Sequence, residues 1–129
     1  MFTQITHISL VVQDIDEALN FYTQKLGFVK KDDITADWGR WVTISLPQQP
    51  SLEVALMLAN NPETQALVGK QAGTYPFLAL GSDNCQATYQ ELISKGVECL
   101  GQPTTQPWGV QLLCKDLYGN VFCIVQPQG

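Results

Sequence analysis

The chain has 129 residues, which is room for one domain of ordinary size or for two halves of about 60 residues that share a core. With 45% hydrophobic and 15% charged residues, it is too apolar and too weakly charged to be intrinsically disordered. The net charge is −5, and the seven lysines and arginines are scattered, so no basic patch is visible. Nucleic acid and anionic membrane surfaces are therefore excluded as expected partners.

The N-terminal segment and the cysteines bear on the cellular compartment. MFTQITHISLVV lacks a basic start and a small-residue cleavage site, and no apolar run reaches the ~18 residues of a spanning helix. We therefore expect a cytoplasmic protein without a membrane segment. The four cysteines, Cys85, Cys99, Cys114 and Cys123, lie in apolar stretches without C-x-x-C spacing. Without an export signal, buried free thiols are the better interpretation than disulfides.

The first half of the chain predicts a strand, a helix and further strands. Ile5–Val12 alternates in polarity, which is typical of a strand. Asp14 and Glu17 predict a capping box, and apolar residues then recur at helical spacing until Gly27, which is expected to end the helix. Residues 40–46 and 52–58 also alternate in polarity and predict two strands. A proline-containing turn over 46–51 is expected to join them.

The second half repeats this pattern after a polar connection, residues 59–73. Residues 75–81 predict a strand, Asp83 and Gln86 predict a second capping box, and Gly96 is expected to end the second helix. The last two predicted strands are 108–115 and 120–126, joined by the turn Asp116-Leu-Tyr-Gly-Asn120.

The two halves correspond at an offset of 69 to 70 residues. The equivalent pairs are Asp14 with Asp83, Gly27 with Gly96, His7 with Phe77, and Glu53 with Cys123. A unit of this size cannot bury both faces of its sheet alone. We therefore predict an α+β fold of two tandem βαβββ modules, residues 1–58 and 74–127, whose curved mixed sheet surrounds a shared cleft.

Polarity sorts the strand faces. The wholly apolar faces, expected under the helices, are Ile8/Leu10, Leu78/Leu80 and Phe122/Ile124. The opposite faces, expected to line the cleft, carry His7, Glu53, Phe77 and Cys123. The mixed-charge stretch 30–33 is interpreted as solvated, and Arg40 is expected to point towards the helix side.

Aromatic residues supply the clearest signal of a binding pocket. Trp41 alternates with Thr43 and Ser45, which places it on the same face as His7. Trp108 begins its strand and is expected at the cleft mouth, while Tyr75 and Phe77 share the cleft face of theirs. Aromatic walls with a few polar groups are typical of a pocket for a planar or cationic organic molecule. Packing of the tryptophans in the core or in a dimer contact is the alternative.

Several segments carry a resemblance to a known family. They are His7-Ile-Ser-Leu-Val-Val12, Asp14-Ile-Asp-Glu-Ala-Leu-Asn-Phe-Tyr22, Lys25-Leu-Gly-Phe28, Arg40-Trp-Val-Thr43, Lys95-Gly-Val97, Gln106-Pro-Trp-Gly109 and Asp116-Leu-Tyr-Gly-Asn120. Through them the chain resembles, over nearly its whole length, the vicinal oxygen chelate superfamily. That superfamily includes glyoxalase I, extradiol dioxygenases, fosfomycin-resistance enzymes and bleomycin-resistance proteins. The resemblance implies the paired-module fold and a homodimer, but no single activity.

The resemblance also implies a set of metal-ligand positions. The first-strand ligand falls on His7, the only histidine, and its counterpart falls on Phe77, which cannot ligate. The last-strand glutamate of the family falls on Cys123, and the fourth-strand carboxylate falls on Glu53, or on Ala55 or Met57 after a slip along the strand. The alternative interpretation is a hydrogen-bonded structural histidine, a solvated carboxylate and a packing cysteine.

Two functions follow from this incomplete ligand set. The first is a bleomycin-resistance-like protein without cofactor, which binds a neutral or cationic organic molecule through His7, Trp41, Tyr75, Phe77, Trp108 and Cys123. The second is a metal-dependent glyoxalase-like lyase or dioxygenase, with Zn, Ni, Mn or Fe held by His7, Glu53 and Cys123. Whether the protein is an enzyme stays open between them, and a substrate outside both classes is a third alternative.

Overall fold

Each half of the chain folds as a β-α-β-β-β unit in the computed structural model, which describes residues 1–128. The chain divides between Val68 and Gly69. The first unit contains β1 (His7–Val12), α1 (Ile15–Gln24), β2 (Val29–Ala36), β3 (Gly39–Leu46), β4 (Gln49–Leu58) and the short α2 (Pro62–Gln65). The second contains β5 (Leu78–Gly81), α3 (Cys85–Ser94), β6 (Thr104–Gln106), β7 (Gly109–Lys115) and β8 (Val121–Pro127).

The two units have the same sheet topology. The first sheet has the order β1-β4-β3-β2 and the second the order β5-β8-β7-β6. In each, the first and last strands pair in parallel and the remaining pairs are antiparallel. The predicted α+β class with two βαβββ modules is thereby confirmed.

The helix starts agree with the sequence in one module and differ in the other. The Asp14 carboxylate accepts a hydrogen bond from the Glu17 amide at 2.9 Å, as an N-cap does. In the second module the prediction that Asp83 is the N-cap is wrong. The N-cap is Asn84, whose side-chain oxygen accepts a hydrogen bond from the Ala87 amide at 3.0 Å. The glycines predicted to end the helices both have positive φ: Gly27 (+78°) and Gly96 (+79°).

The strands that sequence periodicity did not locate are both edge strands. β2 is exposed over most of its length and contains a register shift between Lys30 and Asp33, so it carries no apolar alternation. The stretch 30–33 is therefore part of a strand. β6 has only three residues. The turn predicted over 46–51 is also too long, because β4 begins at Gln49 and pairs it with Leu46.

Three of the six positions that the polarity pattern assigned to the buried faces are buried. Leu10, Phe122 and Ile124 are at most 3% exposed, whereas Ile8, Leu78 and Leu80 are only partly buried. Each helix packs on the sheet of its own unit: α1 buries Ala18, Phe21 and Tyr22, and α3 buries Cys85 and Leu92. Within residues 1–128, no helix combines the length and apolar character that a membrane span requires.

Arg40 joins three elements of the first unit. Its Nε and Nη2 donate to the two carboxylate oxygens of Asp33 on β2, both at 2.9 Å, and its Nη1 donates to Asp16 of α1 at 2.9 Å. The paired hydrogen bonds from Arg40 hold the pKa of the Asp33 carboxyl below its ordinary value. The expected helix-side orientation of Arg40 is thus consistent with its contact to α1.

An Arg40→Met variant is expected to lose part of the acid sensitivity of folding. Because the folded-state pKa of Asp33 is depressed, its contribution to stability is present above the unfolded-state pKa and is lost as pH falls through the folded-state value. Urea unfolding of wild type and variant between about pH 6 and about pH 2.5 measures the difference. Lys31→Met, which removes the same charge from an exposed position on β2, is the matched control. Coincident pH profiles of the two variants would contradict the prediction.

The turn before β8 is built around a buried carboxylate. Asp116 Oδ1 accepts from the amides of Tyr118 and Asn120, and its Oδ2 accepts from Asn120 Nδ2, all at 2.9 Å. Asn120 Oδ1 in turn accepts from the Gln71 amide at 2.9 Å. Gly69 lies against this turn so closely that a Cβ there would be 2.1 Å from the Tyr118 carbonyl oxygen. The predicted turn therefore also anchors the chain segment with which the second unit begins.

Candidate functional site

The edge of the first sheet places His7 beside Glu53. The parallel register of β1 and β4 sets these two residues directly opposite each other, and His7 Nε2 lies 3.7 Å from Glu53 Oε1. Ala55, the alternative position one step along the same strand face, lies opposite Ser9. Met57, the other alternative, lies opposite Val11, so Glu53 is the one of these three positions that lies opposite His7.

Thr43 holds the Glu53 carboxylate from the neighbouring strand. Its hydroxyl donates to Glu53 Oε1 at 2.5 Å and accepts from the Asp32 amide at 3.1 Å. Thr43 is fully buried, and Asp32 lies at the register shift of β2. The sequence placed Thr43 on this face through its alternation with Trp41, but it did not indicate the hydrogen bond from Thr43 to Glu53. A short hydroxyl–carboxylate hydrogen bond restricts where the carboxylate can point.

The ring of His7 lies between this carboxylate and the ring of Trp41, in contact with both. The ring centroids of His7 and Trp41 are 5.7 Å apart, with the planes tilted by 59°. His7 Nδ1 is 3.0 Å from the Thr6 hydroxyl, and its side chain is 39% exposed, compared with 20% for Glu53. We call the surface formed by His7, Trp41, Thr43 and Glu53 the His7 face. It presents ring surface and a fixed, accessible carboxylate, which together suit a cationic group.

The predicted site residues of the second module are less concentrated. Phe77 is partly exposed and bonds through its amide to the Val121 carbonyl, one residue before β5. Cys123 faces the same way as Ala79, its partner on β5, but is 8% exposed, and burial raises the pKa of its thiol. Burial thus disfavours the thiolate that a metal-ligand role requires. The assignment of Tyr75 by strand alternation was wrong, because β5 begins at Leu78 and Tyr75 is 76% exposed outside it.

Tryptophan occupies equivalent hairpin tips in the two modules. Trp108 lies in the two-residue loop between Gln106 and Gly109, rather than in the strand that was predicted to begin with it. Trp38, which was not predicted as a site residue, lies in the corresponding loop between β2 and β3. The two side chains are 46% and 70% exposed, respectively. Neither tryptophan lies in a strand, so strand alternation assigns neither to a sheet face.

The second unit has a groove of its own, with a volume of about 550 Å³. It lies between the residues that precede α3 and the ends of β7 and β8, and it is lined by Asp83, Gly109 and Gln126 among others. None of the predicted site residues lines it. Its lining offers polar groups without the aromatic surface found on the His7 face.

Comparison with known proteins settles the family. The family model described as "Glyoxalase/Bleomycin resistance protein/Dioxygenase superfamily" matches residues 4–124 of this chain. The chain belongs to this superfamily. An uncharacterized protein of Shewanella frigidimarina is 36% identical over 128 residues, covering 98% of this chain and 95% of the relative. The resemblance found in the sequence is thereby confirmed.

Two solved structures of similar size share this superfamily fold. The crystal structure of UcmS2 is 31% identical with a TM-score of 0.86, and the match covers 98% of this chain and 99% of that one. TnmS3, described as an antibiotic binding protein from Streptomyces sp. CB03234, is 27% identical with a TM-score of 0.80, and the match covers 98% of each chain. These likenesses extend along nearly the whole chain.

The donor set that the superfamily resemblance implies does not complete a metal centre here. Among residues 1–128, no group of three or more histidine, cysteine, aspartate or glutamate side chains could hold an ion together. The His7 face supplies two donors, His7 Nε2 and the Glu53 carboxylate, whereas catalytic zinc sites use three protein ligands. The His7 face is therefore one protein ligand short of such a site.

Proposed function

We propose that this protein binds a small organic molecule, neutral or cationic, on the His7 face. The observation that carries the proposal is the position of His7, whose ring lies 3.7 Å from the Glu53 carboxylate and 5.7 Å, between ring centroids, from Trp41. A carboxylate that is 20% exposed and hydrogen-bonded to Thr43 can pair with a cation without first being reoriented. The adjoining rings supply apolar surface and cation–π attraction.

The likeness to TnmS3 supports a binding role. A protein described as antibiotic binding shares the fold over 98% of each chain at 27% identity. Fold alone does not fix a ligand, so the class of ligand rests on the residues of the His7 face. The net charge of −5 also favours the approach of cations over anions. We extend the proposal to a cytoplasmic homodimer, for which the edge strands of each four-stranded sheet offer pairing surface.

Tryptophan fluorescence tests this proposal. Titration with proflavine, a planar aromatic cation, is expected to quench the emission saturably, and Trp41→Phe is expected to remove most of the saturable quenching because the Trp41 ring contacts the ring of His7 on this face. Trp38→Phe is the matched control, since Trp38 is 70% exposed at a hairpin tip. Quenching that is linear in probe, or that depends on Trp38 and not on Trp41, would refute binding at the His7 face.

The metal-dependent alternative is favoured by one observation, the opposition of His7 and Glu53 at 3.7 Å. A lyase or dioxygenase would hold Zn, Ni, Mn or Fe through these residues and would need a further donor such as Cys123. Metal analysis of purified protein distinguishes the two proposals. Stoichiometric metal that is lost in His7→Ala would overturn the metal-free binding protein, and wild type without bound metal after incubation with these ions would overturn the alternative.

A further inference from the structure

Cys99 and Cys114 form a cross-strand pair in the second unit. Cys114 lies on β7, and Cys99 follows α3 in a segment that runs antiparallel to β7. Flanking hydrogen bonds join Leu100 N to Leu113 O at 2.8 Å and Lys115 N to Glu98 O at 2.9 Å. The cysteines themselves exchange no backbone hydrogen bond, so they occupy the narrow, non-hydrogen-bonded type of antiparallel pair.

This backbone geometry suits a disulfide. In a narrow antiparallel pair the Cα atoms are about 4.5 Å apart, which lies within the range of about 4.4–6.8 Å found for disulfides. The two sulfur atoms are already 3.1 Å apart, with the Cys114 thiol directed at Cys99 Sγ. Bond formation therefore requires only a small closing movement of the side chains.

Exposure gives the two thiols different roles. Cys114 is completely buried, whereas Cys99 is partly exposed and is the one that a dissolved oxidant reaches. The other two cysteines, Cys85 and Cys123, are both buried. Cys99 is thus an accessible thiol, and the buried thiol in contact with it is that of Cys114.

We propose that Cys99 and Cys114 are a reversible oxidation site that takes a low-molecular-weight disulfide as its oxidant. The Cys99 thiolate attacks one sulfur of the oxidant, forming a mixed disulfide and releasing one thiolate, which takes up the proton that Cys99 lost. Cys114 then loses its proton and attacks the Cys99 sulfur as a thiolate, forming the Cys99–Cys114 bond, and the second small thiolate that is released takes up this proton. Burial raises the pKa of the Cys114 thiol, so only a small fraction of it is thiolate at any moment. Two protein thiols are oxidised, and one small disulfide is reduced to two thiols.

The product would tie the segment after α3 covalently to β7. It closes a loop that contains β6 and the Trp108 hairpin tip. Cross-linking of such a loop restricts the unfolded chain. The cysteine pair belongs to the second unit and the His7 face to the first, and no step of this inference uses the proposed ligand.

Tryptic mapping tests the proposal directly, because cleavage after the lysines puts the proposed pair in one peptide and the other two cysteines in two different peptides. Cys99 and Cys114 both lie in the peptide 96–115, while Cys85 lies in 71–95 and Cys123 in 116–129. Folded protein is treated with oxidised glutathione, then denatured, alkylated with iodoacetamide and digested. The expected result is a peptide 96–115 without alkyl groups and about 2 Da lighter than its dithiol, with the other two peptides alkylated once each. Treatment with dithiothreitol before alkylation should restore two alkyl groups.

Variants make the assignment specific. Cys99→Ser, at the partly exposed position, should leave Cys114 free for alkylation, and Cys85→Ser should leave the disulfide in 96–115 intact. The rate at which peptide 96–115 loses its two alkylation sites is expected to be about tenfold higher than the rate at which Cys85 or Cys123 loses its own, because Cys114 is already in contact with Cys99. The proposal is overturned if 96–115 stays doubly alkylated, if linkages to the other peptides dominate, or if Cys99 accumulates as a stable glutathione adduct.

Discussion

A Glu53→Gln variant is expected to bind proflavine at least about tenfold more weakly than wild type, because a hydrogen bond or contact to a charged group contributes about 1.5–3 kcal/mol. The Glu53 carboxylate is 20% exposed and lies 3.7 Å from His7, so it is close to a cation stacked on the His7 ring. The amide oxygen of glutamine can still accept the Thr43 hydroxyl, so the strand pairing is expected to survive. Isothermal calorimetry measures the affinity, and urea unfolding measures the stability.

Glu63→Gln provides the control for this variant. Glu63 is exposed in α2, and its substitution changes the net charge by the same amount as Glu53→Gln. We expect Glu63→Gln to weaken binding less than about twofold, since exposed charges at a distance are screened by salt. Equal losses of proflavine affinity in the two variants would mean that the cation responds to the total charge of the protein. That result would contradict binding at the His7 face. Binding of coumarin, a neutral aromatic, should change little in either variant.

The faces of the strands were predictable because side chains alternate with a period of two. That rule placed His7, Glu53 and Trp41 on one side of the first sheet, and the structure brings these residues together. The rule applies only inside a strand. It failed for Tyr75 because the strand begins three residues later, at Leu78. Sequence alternation therefore gave the contents of the His7 face, while strand boundaries decided which aromatic residues belong to a face.

The parts that escaped prediction depend on contacts between distant segments. The edge strands β2 and β6 are mostly exposed, so no apolar pattern marks them. The hold of Thr43 on Glu53 depends on the register shift of β2, which brings the Asp32 amide to the Thr43 hydroxyl. The cysteines were expected as buried free thiols; Cys85, Cys114 and Cys123 are buried, whereas Cys99 is partly exposed. Which two of them meet could not be read from spacing, because it depends on how residues 98–100 lie along β7.

The start of the second unit rests on a close approach that the sequence did not reveal. The polar stretch 59–73 was interpreted only as a connection, yet its Gly69 lies against the Asp116–Asn120 turn. The Tyr118 carbonyl in that turn is held in place through hydrogen bonds from the Tyr118 and Asn120 amides to the Asp116 carboxylate. A glycine was needed there for two reasons, its positive φ and the absence of a Cβ.

A Gly69→Ala variant is therefore expected to lower the free energy of unfolding by about 3 kcal/mol, combining left-handed backbone strain with a clash that no side-chain rotation relieves. Gly69 has φ +76°, and the added Cβ would lie 2.1 Å from the Tyr118 carbonyl oxygen. Gly73 isolates the two contributions, because it has φ +67° and an added Cβ there would meet nothing within 4 Å, so Gly73→Ala is expected to lose only about 1 kcal/mol. Urea unfolding monitored by tryptophan fluorescence measures both losses. Losses that agree within about 0.5 kcal/mol would show that residues 69–71 move away from the turn without cost, and the turn would then not anchor this part of the chain.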